Sequence, residues 1–198
     1  MEKFDPTALF HIRYGLYILT AREGSRDNGL VVNTVFQVTN SPDRIAVAVN
    51  KNSFSYHIIK NAGIMNVNCL EETAPFSLFQ TFGFQSGRTV DKFADTPERR
   101  SQNGLRITDH TNAYISLETE QLVELDTHGV FLCGITESRV LSQIPTMTYD
   151  RYLQAVKPKT RKEGYVCRVC GWVYEGKALP EDIICPVCGH GAGDFKKL

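Results

Sequence analysis

Short apolar segments separated by turn residues make up most of the first three quarters of the chain. Ile45–Val49 is a strand-sized apolar run, and Tyr114–Leu125 alternates apolar with polar positions, as does its expected partner Val130–Val140. A helix is predicted to start at Ser53 and to end at Gly63, because serine caps helix starts and glycine ends helices. Many strands with few helices favour an antiparallel β-barrel over a doubly wound sheet.

Turn residues predict how these segments connect. Asn28-Gly29 favours a tight hairpin turn, which we expect between the apolar segments Leu16–Thr20 and Leu30–Val38. Residues 83–113 are rich in polar positions and predict a long loop region. The pattern over Thr148–Val156 predicts a closing helix. The predicted fold class is therefore mainly β, with peripheral helices.

Composition and charge narrow the class of protein. The chain has 198 residues, 42% of them hydrophobic and 22% charged, which is typical of a globular protein. Its formal net charge is zero, so it offers no electrostatic reason to expect nucleic acid or an anionic membrane as a partner. The longest apolar runs are too short to span a bilayer. The segment Met1–Asp5 does not begin a basic and then apolar leader, so a cytoplasmic location is expected.

A change of composition predicts two domains. The segment Lys157–Glu163 is basic, contains proline and has no aliphatic residue, so it is expected to be a solvated linker. The predicted division is therefore a first domain over residues 1–156, a linker over 157–163, and a small second domain over 164–198.

Four cysteines of the second domain form two Cys-x-x-Cys knuckles, at Cys167 with Cys170 and at Cys185 with Cys188. This paired spacing places four thiolates around one tetrahedral metal, which can be a redox-active iron or a structural zinc. Four unligated core cysteines are the unlikely alternative, and a disulfide framework does not suit a reducing compartment. The spacing alone leaves iron and zinc open. The isolated Cys69 and Cys133 are expected to be small buried side chains.

Four blocks of the first domain, in this order along the chain, resemble the flavin reductase family, whose fold is the FMN-binding split β-barrel. The blocks are Asn28–Val38, Asn50–Ser55, Ser86–Phe93 and His128–Gly134. No Gly-x-Gly-x-x-Gly motif is present, so any nicotinamide would bind outside a Rossmann fold. The resemblance implies a homodimer with FMN in each barrel and NAD(P)H as electron donor.

The resemblance also implies which residues bind the cofactor. Lys51, with hydroxyls at the start of a helix, suits one phosphate, and Lys92 would add a second positive charge. Since no adenosine site is apparent, FMN is expected rather than FAD. His128 is the candidate catalytic residue beside the flavin or the nicotinamide. The predicted cofactor-binding residues are Val32, Asn33, Thr34, Asn50, Lys51, Asn52, Ser53, Ser55, Lys92 and His128.

The second domain resembles a short rubredoxin, with glycine after each knuckle and an aromatic cover. Rubredoxins hold iron, and a flavin upstream gives a one-electron centre a partner, so iron is expected at Cys167, Cys170, Cys185 and Cys188. The fusion is similar to high-molecular-weight rubredoxins, which implies electron transfer from NAD(P)H through FMN and iron to an acceptor such as a flavodiiron oxygen or nitric oxide reductase.

Two other functions stay open at this stage. One is an NAD(P)H:flavin reductase whose tail is a structural zinc ribbon. The other is a protein without enzymatic activity, in which the barrel is a flavin-binding scaffold and the tail a protein-docking module. The sequence does not distinguish NADH from NADPH, because no motif that reads the ribose 2′ position is present.

Overall fold

The computed structural model describes residues 6–158 and 163–198, so most of the predicted linker lies outside these residues. Seven strands form one antiparallel sheet in the order β2-β1-β5-β6-β7-β4-β3. The strands are β1 (Tyr17–Glu23), β2 (Arg26–Val32), β3 (Val35–Asn40), β4 (Asp43–Asn50), β5 (Ile64–Leu70), β6 (Thr111–Glu124) and β7 (His128–Val140). The predicted mainly β fold is confirmed.

The main hydrophobic core lies on one side of this sheet. Leu19, Val47, Met65, Leu117 and Phe131 come from five different strands and are fully buried together. Each such side chain contributes about 1.5–3 kcal/mol by leaving water. The alternation of apolar and polar positions along the strands is therefore what assigns one face of the sheet to the core.

The helix α1 (Phe54–Ala62) forms where the sequence predicts it. The Ser53 side chain accepts a hydrogen bond from the Tyr56 backbone N–H at 3.1 Å, and Gly63 ends the helix with a φ of 69°. Ile58 and Ile59 of this helix are buried in the main core. The capping residues therefore set the position of α1, and its apolar stripe holds it against the sheet.

A second core cluster lies under the helix α2 (Phe76–Gly83). Phe79 and Phe82 of α2 pack there with Met147 and Tyr152. Tyr152 belongs to the closing helix, which begins as a short α-helical turn over Tyr149–Arg151 and continues as a π-helix over Tyr152–Val156. A 3₁₀-helix over Pro6–His11 precedes the barrel.

The prediction of a hairpin turn at Asn28-Gly29 is wrong. The turn between β1 and β2 lies at Gly24-Ser25, where Gly24 has a φ of 58°. Gly29 instead lies inside β2, paired with Thr20, and a Cβ added there would lie 3.0 Å from both the Leu19 carbonyl and the Phe82 ring. Glycine is needed at this position for close packing of α2, not for a turn.

The tail forms a small three-stranded sheet with the order β10-β8-β9. Its strands are β8 (Tyr165–Cys167), β9 (Val173–Tyr174) and β10 (Phe195–Lys197). The Trp172 ring packs edge-on against Phe195, with ring centroids 6.0 Å apart, and lies beside Tyr174. In the described part of the chain, no helix is long and apolar enough to cross a bilayer.

Candidate functional site

A pocket of about 270 Å³ opens at the start of α1, between β2, the end of β4 and the segment 82–88, and we call it the barrel pocket. All of the predicted cofactor-binding residues except Lys51 line it. These residues are Val32, Asn33, Thr34, Asn50, Asn52, Ser53, Ser55, Lys92 and His128. The structure therefore brings together residues that lie far apart in sequence.

The start of α1 gives this pocket an anion-binding character. The first N–H groups of a helix have no intrahelical acceptor and carry a partial positive charge. Ser53 and Ser55 add hydroxyl groups on the pocket wall. The buried Asn28 side chain donates a hydrogen bond to Ser55 Oγ at 2.7 Å and thereby orients it. This arrangement suits a phosphate group.

Lys92 lies at the opposite wall, with its side chain almost entirely buried. Its Nζ donates to the Gly29 carbonyl at 2.8 Å and to the Phe82 carbonyl at 3.3 Å. No carboxylate within the described residues forms an ion pair with it, and burial lowers the pKa of Lys92 to about 8. A buried ammonium without a counter-ion is a group that an anionic ligand would stabilise.

The structure does not bring Lys51 into the pocket. Its Nζ lies 3.6 Å from Glu124 Oε2, on the far side of the strand end. Glu124 also accepts a hydrogen bond from Lys60 at 2.5 Å, so this carboxylate forms ion pairs with both ammonium groups. The predicted contact between Lys51 and a phosphate is therefore not supported by this geometry, because the neighbouring acid attracts the side chain away.

Two arginines that the sequence reasoning did not assign supply positive charge at the pocket mouth. Arg88 lines the pocket, and its guanidinium lies 5.2 Å from the centre of the Phe54 ring. The Arg26 guanidinium lies 5.6 Å from the same ring and donates to the Gly87 carbonyl. The signal for Arg88 was its place in the family block Ser86–Phe93. The signal for the buried Asn28 was likewise its place in the block Asn28–Val38, whereas no signal marked Arg26.

His128 begins β7 and pairs with Asn50 of β4, which places its ring at the pocket wall. Its Nδ1 lies 2.8 Å from Thr127 Oγ1. Burial lowers the pKa of His128, so the ring is neutral at neutral pH and can offer one donor and one acceptor. Its predicted catalytic role stays a prediction.

The four tail cysteines converge on one point, with Sγ atoms all within 4.8 Å of one another. The Sγ atoms of Cys167 and Cys188 lie 3.6 Å apart, and those of Cys170 and Cys185 lie 3.5 Å apart. A tetrahedral metal with bonds of about 2.3 Å to sulfur requires roughly 3.8 Å between sulfur atoms. The four thiols therefore fit a tetrahedral metal, and the geometry suits iron and zinc equally.

Local backbone geometry shapes both knuckles in the same way. Gly171 and Gly189 each follow a knuckle with a φ of 76°, and each donates its N–H at 2.8 Å to the carbonyl of the first cysteine of its knuckle. His190 has its Nδ1 3.2 Å from Cys188 Sγ, a contact that the sequence reasoning missed. The two knuckles are thus related by pseudo-symmetry.

The four-cysteine site adjoins the barrel pocket. Pro186 and Val187, between the cysteines of the second knuckle, line the pocket. Lys157, the first residue of the predicted linker, donates from Nζ to the Gly171 carbonyl at 3.2 Å. A Cβ added at Gly189 would lie 2.7 Å from Asn52 Nδ2, so the second knuckle packs closely on the start of α1.

Comparisons with known proteins match two parts of the chain to two different families. The flavin reductase like domain family matches residues 9–156, and the rubrerythrin, rubredoxin-like domain family matches residues 165–196. The chain is 36% identical to the high molecular weight rubredoxin of Moorella thermoacetica, over 98% of this chain and all of that protein. It is 31% identical to the ferric-chelate reductase (NAD(P)H) of Archaeoglobus fulgidus, over 82% of this chain and 96% of that protein.

Solved structures share the barrel fold. An NADH:FAD oxidoreductase of Streptomyces globisporus superposes with a TM-score of 0.65 at 18% identity, covering 75% of this chain and 92% of that one. The two matching families imply a flavin for the barrel and iron for the four cysteines, as predicted. The chain therefore belongs to the flavin reductase-like family, and it carries a rubredoxin-like domain at its C-terminal end.

Proposed function

We propose that the protein is an oxidoreductase that takes electrons from NAD(P)H at the barrel pocket and delivers them through the four-cysteine site to another redox protein. The observation that carries this proposal is that Pro186 and Val187 of a metal knuckle line the barrel pocket. A flavin accepts a hydride and releases electrons singly, and an iron bound by four cysteines carries one electron, so the two groups are chemically matched.

The chain's own residues would hold and orient the flavin. The start of α1, with Ser53 and Arg88, faces the position proposed for the phosphate. The backbone of Val32–Thr34 would edge the ring system, and Lys92 would place its positive charge beside it. A site for one terminal phosphate suits FMN, which we propose as the resident flavin. The neutral imidazole of His128 would hydrogen-bond the ring or help to seat the nicotinamide.

The metal site needs little from the chain beyond four thiolates. Burial raises the pKa of the Cys170 thiol, so a bound cation has to displace its proton. The glycine after each knuckle allows the tight turn that brings the sulfur atoms together. The Trp172 carbonyl accepts a hydrogen bond from the Cys167 N–H at 2.7 Å, and the Trp172 ring packs against Phe195, so this aromatic pair would limit the contact of the site with water.

The external acceptor is proposed to be a redox protein such as a flavodiiron oxygen or nitric oxide reductase. Val169 and Ile184, each next to a metal ligand, are 53% and 68% exposed. Small apolar surfaces beside a redox centre suit the transient, limited contacts of electron-transfer partners. We further propose a homodimer, as in the family, and a cytoplasmic location, where unpaired thiols such as Cys69 stay reduced.

Anaerobic stopped-flow mixing with NADH, and separately with NADPH, tests the proposal. We expect flavin bleaching to occur no later than loss of the ferric-thiolate absorption. The Cys170→Ser variant should lose the ferric-thiolate absorption, keep its flavin and still oxidise the nicotinamide with an artificial dye.

Two results would contradict the proposal. Iron that is reduced at the full rate in protein stripped of flavin would reverse the order of the two centres. Metal analysis that finds one zinc per chain and no iron, in protein expressed with ample iron, would favour a flavin reductase with a structural tail.

A further inference from the structure

The two knuckles of the tail have the same local structure but different surroundings. Val169 and Val187 each precede the second cysteine of a knuckle. Val169 is 53% exposed and lies away from the barrel pocket, whereas Val187 lines that pocket and Pro186 lies beside it. The second knuckle therefore lines the barrel pocket, whereas the first knuckle contacts Lys157 through Gly171, so the two halves of the metal site have different neighbours.

Contacts on the barrel side fit this knuckle closely. Asn52, at the start of α1, packs against Gly189 with no room for a Cβ. The Lys157 ammonium donates a hydrogen bond to the carbonyl of Gly171, which follows the first knuckle. These contacts place the 185–188 knuckle over the pocket mouth, beside the Phe54 ring.

The size of the pocket limits what can bind while the knuckle is docked. Its volume is about 270 Å³, and pockets for single small ligands measure roughly 300–1,000 Å³. Hydride transfer requires the donor ring within about 3–3.5 Å of the acceptor ring, so both must share the mouth. With Pro186 and Val187 of the docked knuckle forming part of its wall, this space does not hold a flavin and a nicotinamide together.

The positive charge at the mouth of the barrel pocket can attract either the metal knuckle or the nicotinamide dinucleotide. Arg26 and Arg88 both lie over the Phe54 ring at this opening. Four thiolates around a ferric ion carry a net negative charge, and the pyrophosphate of a dinucleotide is also an anion. The same two guanidinium groups can therefore attract the metal knuckle or the hydride donor.

We infer that the 185–188 knuckle and the nicotinamide bind the mouth of the barrel pocket in turn, so that hydride delivery requires the knuckle to undock. This inference rests on the proposed function. It adds that the second knuckle is the side on which the metal site faces the flavin, whereas the first knuckle does not line the pocket.

A binding measurement that needs no electron transfer tests the inference. The probe is a redox-inert tetrahydro analogue of NADH, titrated into the oxidised holoprotein and followed by the change in flavin absorption. Val187→Lys should undock the knuckle, because Arg26 and Arg88 at the mouth repel a positive charge, and Val169→Lys is its matched control in the first knuckle. Pro186→Lys is a second, independent way to undock it. The flavin content and the ferric-thiolate absorption verify that each variant is folded and loaded.

The apparent affinity of the protein for a ligand equals its intrinsic affinity multiplied by the fraction of protein in the state that can bind. If the docked arrangement is ten times more populated than the open one, Val187→Lys and Pro186→Lys should tighten analogue binding about tenfold. Val169→Lys should bind as the wild type does. Iron reduction by NADH should slow in the first two variants and stay unchanged in the control.

The possible failures are distinguishable. Equal analogue affinity in the wild type and in both undocking variants would overturn the alternating occupancy, whatever the rates of iron reduction. Tighter binding in all three variants would show that the effect is not specific to the second knuckle and would also overturn it. Tighter binding only in the undocking variants, with no iron reduction in any protein, would support the shared mouth and contradict the proposed function instead.

Discussion

The buried Lys92 gives a prediction whose size follows from the structure. Burial lowers its pKa to about 8 in the folded protein, from an ordinary value of 10.5. Between these two pH values the unfolded chain holds a proton that the folded chain has lost. The free energy of unfolding therefore rises with pH over this range, because the folded protein no longer has to bury a charge.

Integrated between pH 7 and pH 9.5, this proton difference amounts to about 2 kcal/mol of added stability in the flavin-free protein. Lys92→Met removes the titrating group. Between pH 7 and pH 9.5 the free energy of unfolding of this variant should therefore rise by about 2 kcal/mol less than that of the wild type. The variant also leaves the Gly29 and Phe82 carbonyls without their donor, which lowers its stability by an amount that does not depend on pH.

Urea unfolding at a series of pH values, followed by far-ultraviolet circular dichroism, measures this difference. The only tryptophan, Trp172, lies in the tail, so its fluorescence reports the tail separately from the barrel. Lys177→Met, at an exposed lysine of the tail, controls for a change in net charge. Parallel curves of stability against pH for the wild type and Lys92→Met would refute the reasoning.

Two further predictions concern the pocket wall and the packing behind it. Arg88→Ala should weaken FMN at least about tenfold, because a charge-assisted contact with phosphate contributes roughly 1.5–3 kcal/mol. Lys51→Ala should change FMN affinity little, since this lysine faces Glu124. Equilibrium dialysis measures the FMN affinity of both variants. A larger effect of Lys51→Ala than of Arg88→Ala would support the phosphate contact predicted from the sequence. Gly29→Ala should lower the free energy of unfolding by about 1–3 kcal/mol through overpacking against Phe82. Gly83→Ala is its control, because the added Cβ would meet Val31 at an ordinary 3.6 Å, and equal urea midpoints for the two variants would contradict the packing argument.

Signals in the local sequence were sufficient to predict the bounds of α1 and the metal ligands. The cap at Ser53 and the left-handed glycine at Gly63 predicted the bounds of α1 to within a residue, because both act within one helical turn. The four metal ligands were also identified from spacing, since a Cys-x-x-Cys turn fixes the distance between its own two sulfur atoms.

The predicted turn at Asn28-Gly29 failed because a local preference competed with packing. Asn28-Gly29 carries a strong turn signal, yet both residues lie inside β2, because Gly24-Ser25 supplies the turn and Phe82 needs the space above Gly29. The predicted phosphate contact of Lys51 stays a prediction, and its ammonium lies 3.6 Å from Glu124 of β6, 73 positions along the chain. The local sequence around Gly29 and Lys51 shows neither Phe82 nor Glu124.

The sequence by itself determined the mainly β class, the helix α1 and the metal-binding cysteines, because each depends on periodicity or on contacts within a few residues. Only the tertiary structure assembled the barrel pocket, since its walls come from β2, the start of α1, the segment 82–88 and His128. Tertiary structure also decided which knuckle faces this pocket. Two knuckles with the same local geometry differ only in what the rest of the chain places against them, and that difference arises from long-range packing.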